Sequence, residues 1–315
     1  MYRYLAGRAL AVIPVMFVVA TIVFGLVYLS PTDPAAVIGG DFATPAQVAE
    51  IRAKLGLDES LHIQYFRWLG SVLTGDLGSS IFSNQPVLNL ILARAEPTLS
   101  LAVTTMLFAV LLAVPVGVIA AWRAGTFVDR GVMMFAVAGI SVPAFWTGYA
   151  LIFLFAVKLR WLPVHGFSSL GDGIGPFLSH ILLPSVTLGL AYAALLARVT
   201  RASMVEILEQ DFIRTARAKG LTTRAVLFNH ALRVVAVPVV TMIGIGFAAL
   251  VGGVVITESV FAIPGIGRLT VDSIQRKDIP VIQGVLLVTS GLYVVINLAV
   301  DMLYTLLDPR IRYES

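Results

Sequence analysis

Six stretches of this chain contain no Asp, Glu, Lys or Arg at all: residues 9–32, 98–121, 131–157, 173–197, 234–257 and 279–300. About 20 mostly apolar residues suffice to cross a bilayer as a helix, so each run is long enough to span. A helix is also the one open-ended element that can satisfy every backbone polar group in lipid. The runs therefore predict an all-α polytopic membrane protein with six transmembrane helices. Composition agrees, at 58% hydrophobic, 13% charged and a mean hydropathy of +0.92. A seventh uncharged run, 77–93, carries Ser79, Ser80, Ser83, Asn84 and Gln85 and is too polar to count.

Arg3 and Arg8 precede the first run, as in a signal peptide. That run is longer than a secretory apolar core, and no small-x-small cleavage site precedes "PTDP" at 31–34, so it reads as an uncleaved helix. An even number of spans puts both termini on one side. Arg3, Arg8, Arg123, Arg130, Arg198, Arg201, Arg214, Arg217, Lys219, Arg224, Arg233, Arg310 and Arg312 make 13 basic residues on that side, against 9 on the other. Basic residues in short loops favour the cytoplasm, and long translocated loops such as 33–97 are discounted. Both termini are therefore expected to be cytoplasmic.

The outer segment 33–97 has helical patterns of its own. In "TPAQVAEIRAKLG", Thr44 is the expected N-cap, Pro45 stands at N1, Gln47 completes a capping box and Gly56 supplies a stop. "SLHIQYFRWLGSVLTG" forms a second amphipathic pattern with interfacial Tyr65 and Trp68. Such a segment is either a small cap or a docking face for an external partner.

Within the spans, Pro115, Pro143, Pro184 and Pro238 are tolerated because neighbouring helices satisfy the freed backbone groups, and the third span, with Pro143, is expected to be kinked. Ala248, Ala249, Gly252 and Gly253 form a small-residue stripe, suited either to packing within the chain or to a seam between two subunits. Glu258 and Asp301 lie near span ends, and no span has a central carboxylate. Glu258 has two readings, a structural or interfacial carboxylate and a residue of a translocation path. Asp301 reads as a packing or gate residue.

Several chemistries are missing. With no cysteine there is no disulfide framework, Cys-ligated zinc or cysteine nucleophile. No G-x-x-x-x-G-K-[ST] phosphate cradle and no HExxH occur, and His62, His165, His180 and His230 are scattered.

The longest cytoplasmic loop contains "DFIRTARAKG", residues 211–220. It reads as helix, glycine stop, helix. Asp211 is placed to cap the first turn, Gly220 suits a left-handed stop, and Thr222 or Thr223 caps the next helix. Ala216 and Ala218 keep the first helix thin, while Arg214, Arg217 and Lys219 make it cationic. Taken alone, the segment is an ordinary positive-inside loop or a helix shaped to enter a groove on another protein.

This segment resembles the EAA loop of ABC importer permeases, pattern E-A-A-x-x-x-G. Aligned on Gly220, Arg214, Thr215 and Ala216 occupy the E-A-A positions, so only Ala216 and Gly220 match. Where that family has I-x-L-P, this chain has His230, Ala231, Leu232 and Arg233, keeping the leucine but not the proline. The dipeptide/oligopeptide/nickel branch departs in a similar way. "LSPTDPA", "LGLDESLHIQYFRWL", "GDLGSS", "SVPAFW", "WLPVHG", "RASMVEIL", "ESVFAIPGIGRL" and "LLDPRIRY" are similar to segments of that branch along the whole chain, close to dipeptide and glutathione permeases.

The resemblance implies a type I importer permease in a bacterial inner membrane. Its partners would be a second related permease, two ABC ATPases, an external substrate-binding protein and membrane lipid, with no nucleic acid. ATP and magnesium would belong to the ATPases, with no cofactor or catalytic residue here. Asp211, Arg214, Thr215, Ala216, Arg217 and Gly220 would form the ATPase-coupling helix. Pro143, Phe145 and Trp146, with Glu258, are candidates for the translocation path. The expected organisation is a first helix with its external segment over 1–96, a permease core over 97–308 holding a coupling loop at about 200–233, and a tail over 309–315. Short peptides, including glutathione, are the expected substrate class, and nickel is the same-class rival. A stand-alone secondary transporter and an intramembrane enzyme are rivals from other classes.

Overall fold

The computed structural model describes residues 2–29, 33–40, 43–54, 56–252 and 254–307. In chain order the helices are α1 (Tyr2–Leu29), α2 (Pro34–Gly39), α3 (Pro45–Lys54), α4 (Leu61–Leu73), α5 (Val87–Trp122), α6 (Phe127–Ser141), α7 (Ala144–Leu151) and α8 (Ile174–Leu208). They continue with α9 (Asp211–Ala218), α10 (Thr223–Ala225), α11 (Leu232–Val251), α12 (Val255–Val260), α13 (Ile266–Arg276) and α14 (Ile279–Leu307). Wider π-helical turns continue α7 over Ile152–Lys158 and join α10 to α11 over Val226–Ala231. Among the described residues the nearest thing to a sheet is one isolated bridge, Ser79 to Pro86.

Four helices are long and apolar enough to cross a membrane unaided: Val87–Trp122, Ile174–Leu208, the continuous stretch Thr223–Val251, and Ile279–Leu303. The pair α6 and α7 meets the same test jointly, but the two halves bend by 99°. The expected kink at Pro143 is thus a break: Val142 and Pro143 are extended, and a proline cannot donate the hydrogen bond that would carry α6 into α7. Helix α1 carries a shorter apolar stretch, Leu10–Leu26.

Two expected boundaries shift. Helix α5 begins at Val87 rather than near 98 and, at 36 residues, measures about 54 Å, more than a bilayer core. Its first turns, with Arg94 and Glu96, therefore project beyond the hydrocarbon. The run 234–257 does not form one helix either. Helix α11 stops at Val251, and a new short helix starts at Val255.

Helices α5 and α8 pack along each other at the centre, with α11 against both, α6 against α8, α14 against α11 and α1 on the outside of α14. The core divides by height. One cluster joins α5, α8, α9 and α11 through Ala113, Val118, Ala197, Met204, Ile213 and Val235. A second, in the other half, joins α5, α8 and α11 to α7 through Leu101, Ile181, Leu188, Leu250 and Phe261. Because Thr223–Val251 runs the full height, α9 before it and α12 after it lie at opposite ends of the bundle. The expected capping box is present, with Gln47 N–H donating to Thr44 Oγ1 at 3.3 Å and Thr44 N–H to Gln47 Oε1 at 2.8 Å.

Candidate functional site

The segment 211–220 forms the predicted helix, turn and helix, with a different internal arrangement. Gln210 is the N-cap, in extended backbone, and Asp211 is the first helical residue. Asp211 therefore makes no cap. It places a negative charge in the first turn, where the helix dipole favours it, and pairs with Arg214 at 3.3 Å. Gly220 stands at φ +78°, the left-handed backbone expected of it, and Leu221 N–H returns to Ala216 C=O at 3.3 Å. Thr222 then caps α10, accepting from Ala225 N–H at 3.3 Å.

Helix α9 has two unlike faces. Ile213 is fully buried and Ala216 is 8% exposed, both in the core cluster with α5, α8 and α11. Ala216, expected to thin the coupling helix, thus lies on the side of that helix turned to the bundle. A residue three positions from Ile213 shares its face, and that face is the apolar one facing the bundle. The outward face carries Asp211, Phe212, Arg214, Thr215, Arg217 and Lys219, all exposed. Beside it, a groove of about 450 Å³ is lined by Thr222, Arg224, Ala225, Phe228 and Asn229. The helix is thus exposed and cationic on one side, with an aromatic at its first turn, and is keyed into the bundle on the other.

One ion pair at this end was not legible in the chain. Arg201 on α8 grips Asp129 on α6 with both arms of the guanidinium: Nε to Oδ1 at 2.8 Å and a terminal nitrogen to Oδ2 at 2.7 Å. Gly125 N–H donates to the same carboxylate at 2.9 Å. Asp129 is buried, so the two-point geometry supplies the pairing that a buried charge requires. Charge counting had treated Arg201 as one more positive-inside residue.

At the opposite end, Glu258 is fully buried and faces no open surface. Its Oε1 accepts from Thr98 Oγ1 at 2.9 Å and its Oε2 from Arg268 N–H at 2.7 Å. Thr98 Oγ1 in turn accepts from Ile266 N–H at 2.8 Å. These donors are the first N–H groups of α13, whose N-cap, Gly265, has no side chain to offer. Glu258 and Thr98 supply the missing cap from two other helices. A Cβ on Gly265 would overlap the Glu258 carboxylate, so the glycine makes room for its substitute cap. In this structure Glu258 therefore serves as a cap for α13. Asp278, before α14, does a related job: Oδ2 accepts from Ser80 Oγ and Oδ1 from Ile81 N–H at 3.2 Å, fastening the "GDLGSS" loop.

The remaining path candidates cluster at the α6–α7 break. Pro143 is the N-cap of α7, and Phe145 and Trp146 behind it are exposed. The small-residue stripe divides: Ala248 faces the chain's own core, whereas Ala249 and Gly252 are exposed, and Gly253 lies outside the described residues.

Comparison with known proteins agrees with this architecture. Residues 113–313 match the family described as "Binding-protein-dependent transport system inner membrane component", and residues 1–102 match its N-terminal counterpart. The chain is 52% identical over 310 residues to the "Probable peptide ABC transporter permease protein y4tP" of Sinorhizobium fredii, covering 98% of this chain and 99% of that one. It is 45% identical over 315 residues to the "Glutathione transport system permease protein GsiC" of Salmonella paratyphi A, and 44% identical to that of Escherichia coli K12, each along the full length of both chains. Among solved structures, an inward-facing MetNI methionine ABC transporter chain superposes with a TM-score of 0.57 at 20% identity, over 70% of this chain and 97% of that one, a likeness of fold. With both halves matched and relatives alike from end to end, the chain belongs to the binding-protein-dependent transport system inner-membrane components, the multi-pass permease subunits of ABC importers.

Proposed function

We propose that this permease forms half of the translocation path of an ATP-driven importer of short peptides, with glutathione and dipeptides as the substrate class. The observation that carries the substrate class is the end-to-end likeness to permeases named for peptides and for glutathione. A second permease completes the path, two ABC ATPases supply the energy, and an external binding protein delivers the substrate. Both termini and α9 face the cytoplasm, in line with the bias of basic residues.

The geometry of α9 supports a mechanical role. Its wet face meets an ATPase, and its inner face, Ile213 and Ala216, is packed into α5, α8 and α11. Close-packed interiors transmit displacement rather than absorb it. When the ATPases close on ATP, the movement of α9 passes to three long helices at once and biases the bundle between inward and outward access. The Asp129–Arg201 fork makes α6 follow α8 in that movement. The break at Val142–Pro143 lets α7, with Phe145 and Trp146, swing separately as a wall of the path.

Uptake of labelled glutathione, a labelled dipeptide and nickel, compared in cells with and without the gene, tests the reading. Loss of peptide uptake with nickel uptake intact is expected. Loss of nickel uptake alone would transfer the assignment to a metal importer. The purified chain in lipid is expected to hydrolyse no ATP until the ATPases are added, and substrate-stimulated hydrolysis by the chain alone would overturn the partner assignment.

A further inference from the structure

Helix α4 belongs to the segment that sequence reading places outside the membrane, yet its contacts lie far down the spanning helices. On α1 it meets Phe17, Thr21 and Phe24: Tyr65 hydroxyl and Thr21 Oγ1 are 2.9 Å apart, and the rings of Phe24 and Tyr65 stack edge to face at 5.2 Å. Thr21 is eight residues before the end of α1 at Leu29, about 12 Å below that end, and lies within its apolar stretch Leu10–Leu26. On α14 the same helix packs through Trp68, Leu69 and Val72 near Leu286 and Leu287. Those residues lie seven and eight positions after the start at Ile279, again about 11 to 12 Å down. Two separate helices place α4 at one level, about 12 Å below their ends and beside apolar residues of both, where half of a bilayer's hydrocarbon is about 15 Å thick.

The surface of α4 fits that depth. Its inner face, Tyr65, Trp68, Leu69 and Val72, is covered by α1 and α14. Its opposite side exposes Ile63, Phe66, Gly70 and Leu73, with Phe66 at 66% and Leu73 at 80%, and polar groups stand only at its start, His62, and its edge, Arg67. From Phe66 to Leu73 the helix is thus apolar on both its inner and outer sides, unlike a cap resting in water. Its polar side chains have partners within the chain close by. Gln64 Nε2 donates to Leu57 C=O at 3.1 Å and to Glu59 C=O at 2.7 Å, and Arg67 pairs with Glu59 at 2.7 Å. Groups removed from water need such partners. Beside it, the flank of α1 exposes Leu10, Ile13, Phe17 and Ile22, a surface only lipid or another subunit can cover.

We infer that α4 is immersed in the bilayer leaflet at the Glu258 end of the molecule, with Ile63, Phe66 and Leu73 in contact with lipid acyl chains. The exposed face continues the lipid-facing flank of α1, and the helix acts as a lateral fin that anchors the segment carrying "GDLGSS". This rests on the spanning fold and is independent of the substrate proposed above.

The absence of cysteine makes a direct test possible. Single Phe66→Cys, Leu73→Cys and, as an aqueous control, Asp58→Cys variants of the full chain are spin-labelled and reconstituted in phosphatidylethanolamine–phosphatidylglycerol vesicles together with the co-purifying subunits. Phe17→Cys on α1 serves as the lipid reference. Collision rates with dissolved oxygen and with a water-soluble nickel chelate are then compared by electron paramagnetic resonance. The oxygen-to-nickel ratio at 66 and 73 is expected to be several-fold above that at 58 and to approach that at 17. Nickel collision at 66 and 73 equal to that at 58 would put the face in water and overturn the inference. Low collision with both reagents would mean that a protein covers the face, and would overturn it equally.

Discussion

The two ends of this molecule handle charge in opposite ways. Around α9, charged side chains point outward: Asp211, Arg214, Arg217 and Lys219 are exposed, and the backbone turn at Gly220 sets their direction. Around α13, the carboxylates of Glu258 and Asp278 are turned inward and consumed by hydrogen bonds to Thr98, Arg268 N–H, Ser80 and Ile81 N–H. Helix α9 keeps its charges on the surface, with the buried Asp129–Arg201 fork behind it, while around α13 polarity is used to fasten loops to helices. A carboxylate is thus a surface charge at Asp211 and a rivet at Glu258, and burial decides which.

The sharpest way to break this comparison is to remove a rivet. Glu258→Ala leaves the Arg268 N–H and the Thr98 hydroxyl without their acceptor in a closed site and opens a void beside Gly265. Orphaned buried donors cost about 1 to 3 kcal/mol each, so a loss of about 3 kcal/mol is expected. Thermal unfolding of the detergent-purified chain measures it. Glu258→Gln, which keeps an acceptor oxygen, is expected to lose less than half as much. If the alanine variant melts and transports like the parent, the cap assignment fails.

Ala216→Glu comes next, and it probes the other end from within. Ala216 belongs to the inner face of α9, so the new carboxylate enters the cluster of α5, α8 and α11 rather than a free surface. Bringing a charge into that cluster is expected to cost about 2 kcal/mol, softened by the short path back to solvent. The variant should therefore show both a lower melting temperature and weaker ATPase binding. Unchanged melting with ATPase binding lost would return Ala216 to the docking surface.

What was legible in the chain follows the same division. The spans were legible because lipid imposes a long, local and one-dimensional pattern, visible in any run without charge. The capping box at Thr44 and Gln47 and the turn at Gly220 were legible because their partners lie within a few residues. The Glu258 cap was not, since it joins residues 160 positions apart and its helix starts at a glycine with no capping side chain. The Asp129–Arg201 fork joins positions 72 apart and hid inside a charge count. The face that Ala216 takes was not legible because alanine is at home on either face of a helix, and only Ile213, three residues earlier, marks which face is inside. The first turns of α5 were missed for a different reason. A helix that rises out of the membrane may be as polar as 77–97, and the spanning rule is silent there.

Gly220→Val is expected to have a smaller effect on stability, about 1 to 2 kcal/mol, because a β-branched residue is strained at φ +78°. No neighbouring atom would meet the added Cβ, so backbone strain is the whole cost. The strain falls on the link between α9 and α10, and the six apolar runs should insert as before. Hydrolysis by the assembled complex is expected to continue while substrate uptake in vesicles drops, the signature of a slipped coupling. Full uptake at normal rates would reduce the turn to an ordinary loop.

Arg214→Ala should affect stability least and so separates docking from folding most cleanly. The side chain is 73% exposed and its one pairing, with an Asp211 that is 95% exposed, lies in water. Exposed pairs of this kind contribute little, so the melting temperature of the isolated chain should not move measurably. If the wet face of α9 meets an ATPase, the same substitution removes a cation from that interface, where a rim charge governs association rate and salt dependence more than affinity. Association of the ATPases should slow and become less sensitive to salt, while the Glu258→Ala variant, once folded, should bind them at the parental rate. The two readouts cross: one end changes stability without changing docking, the other docking without stability. If Arg214→Ala leaves both association and its salt dependence untouched, the contrast between the two ends is only one of burial, and the outward charges of α9 serve topology rather than a partner.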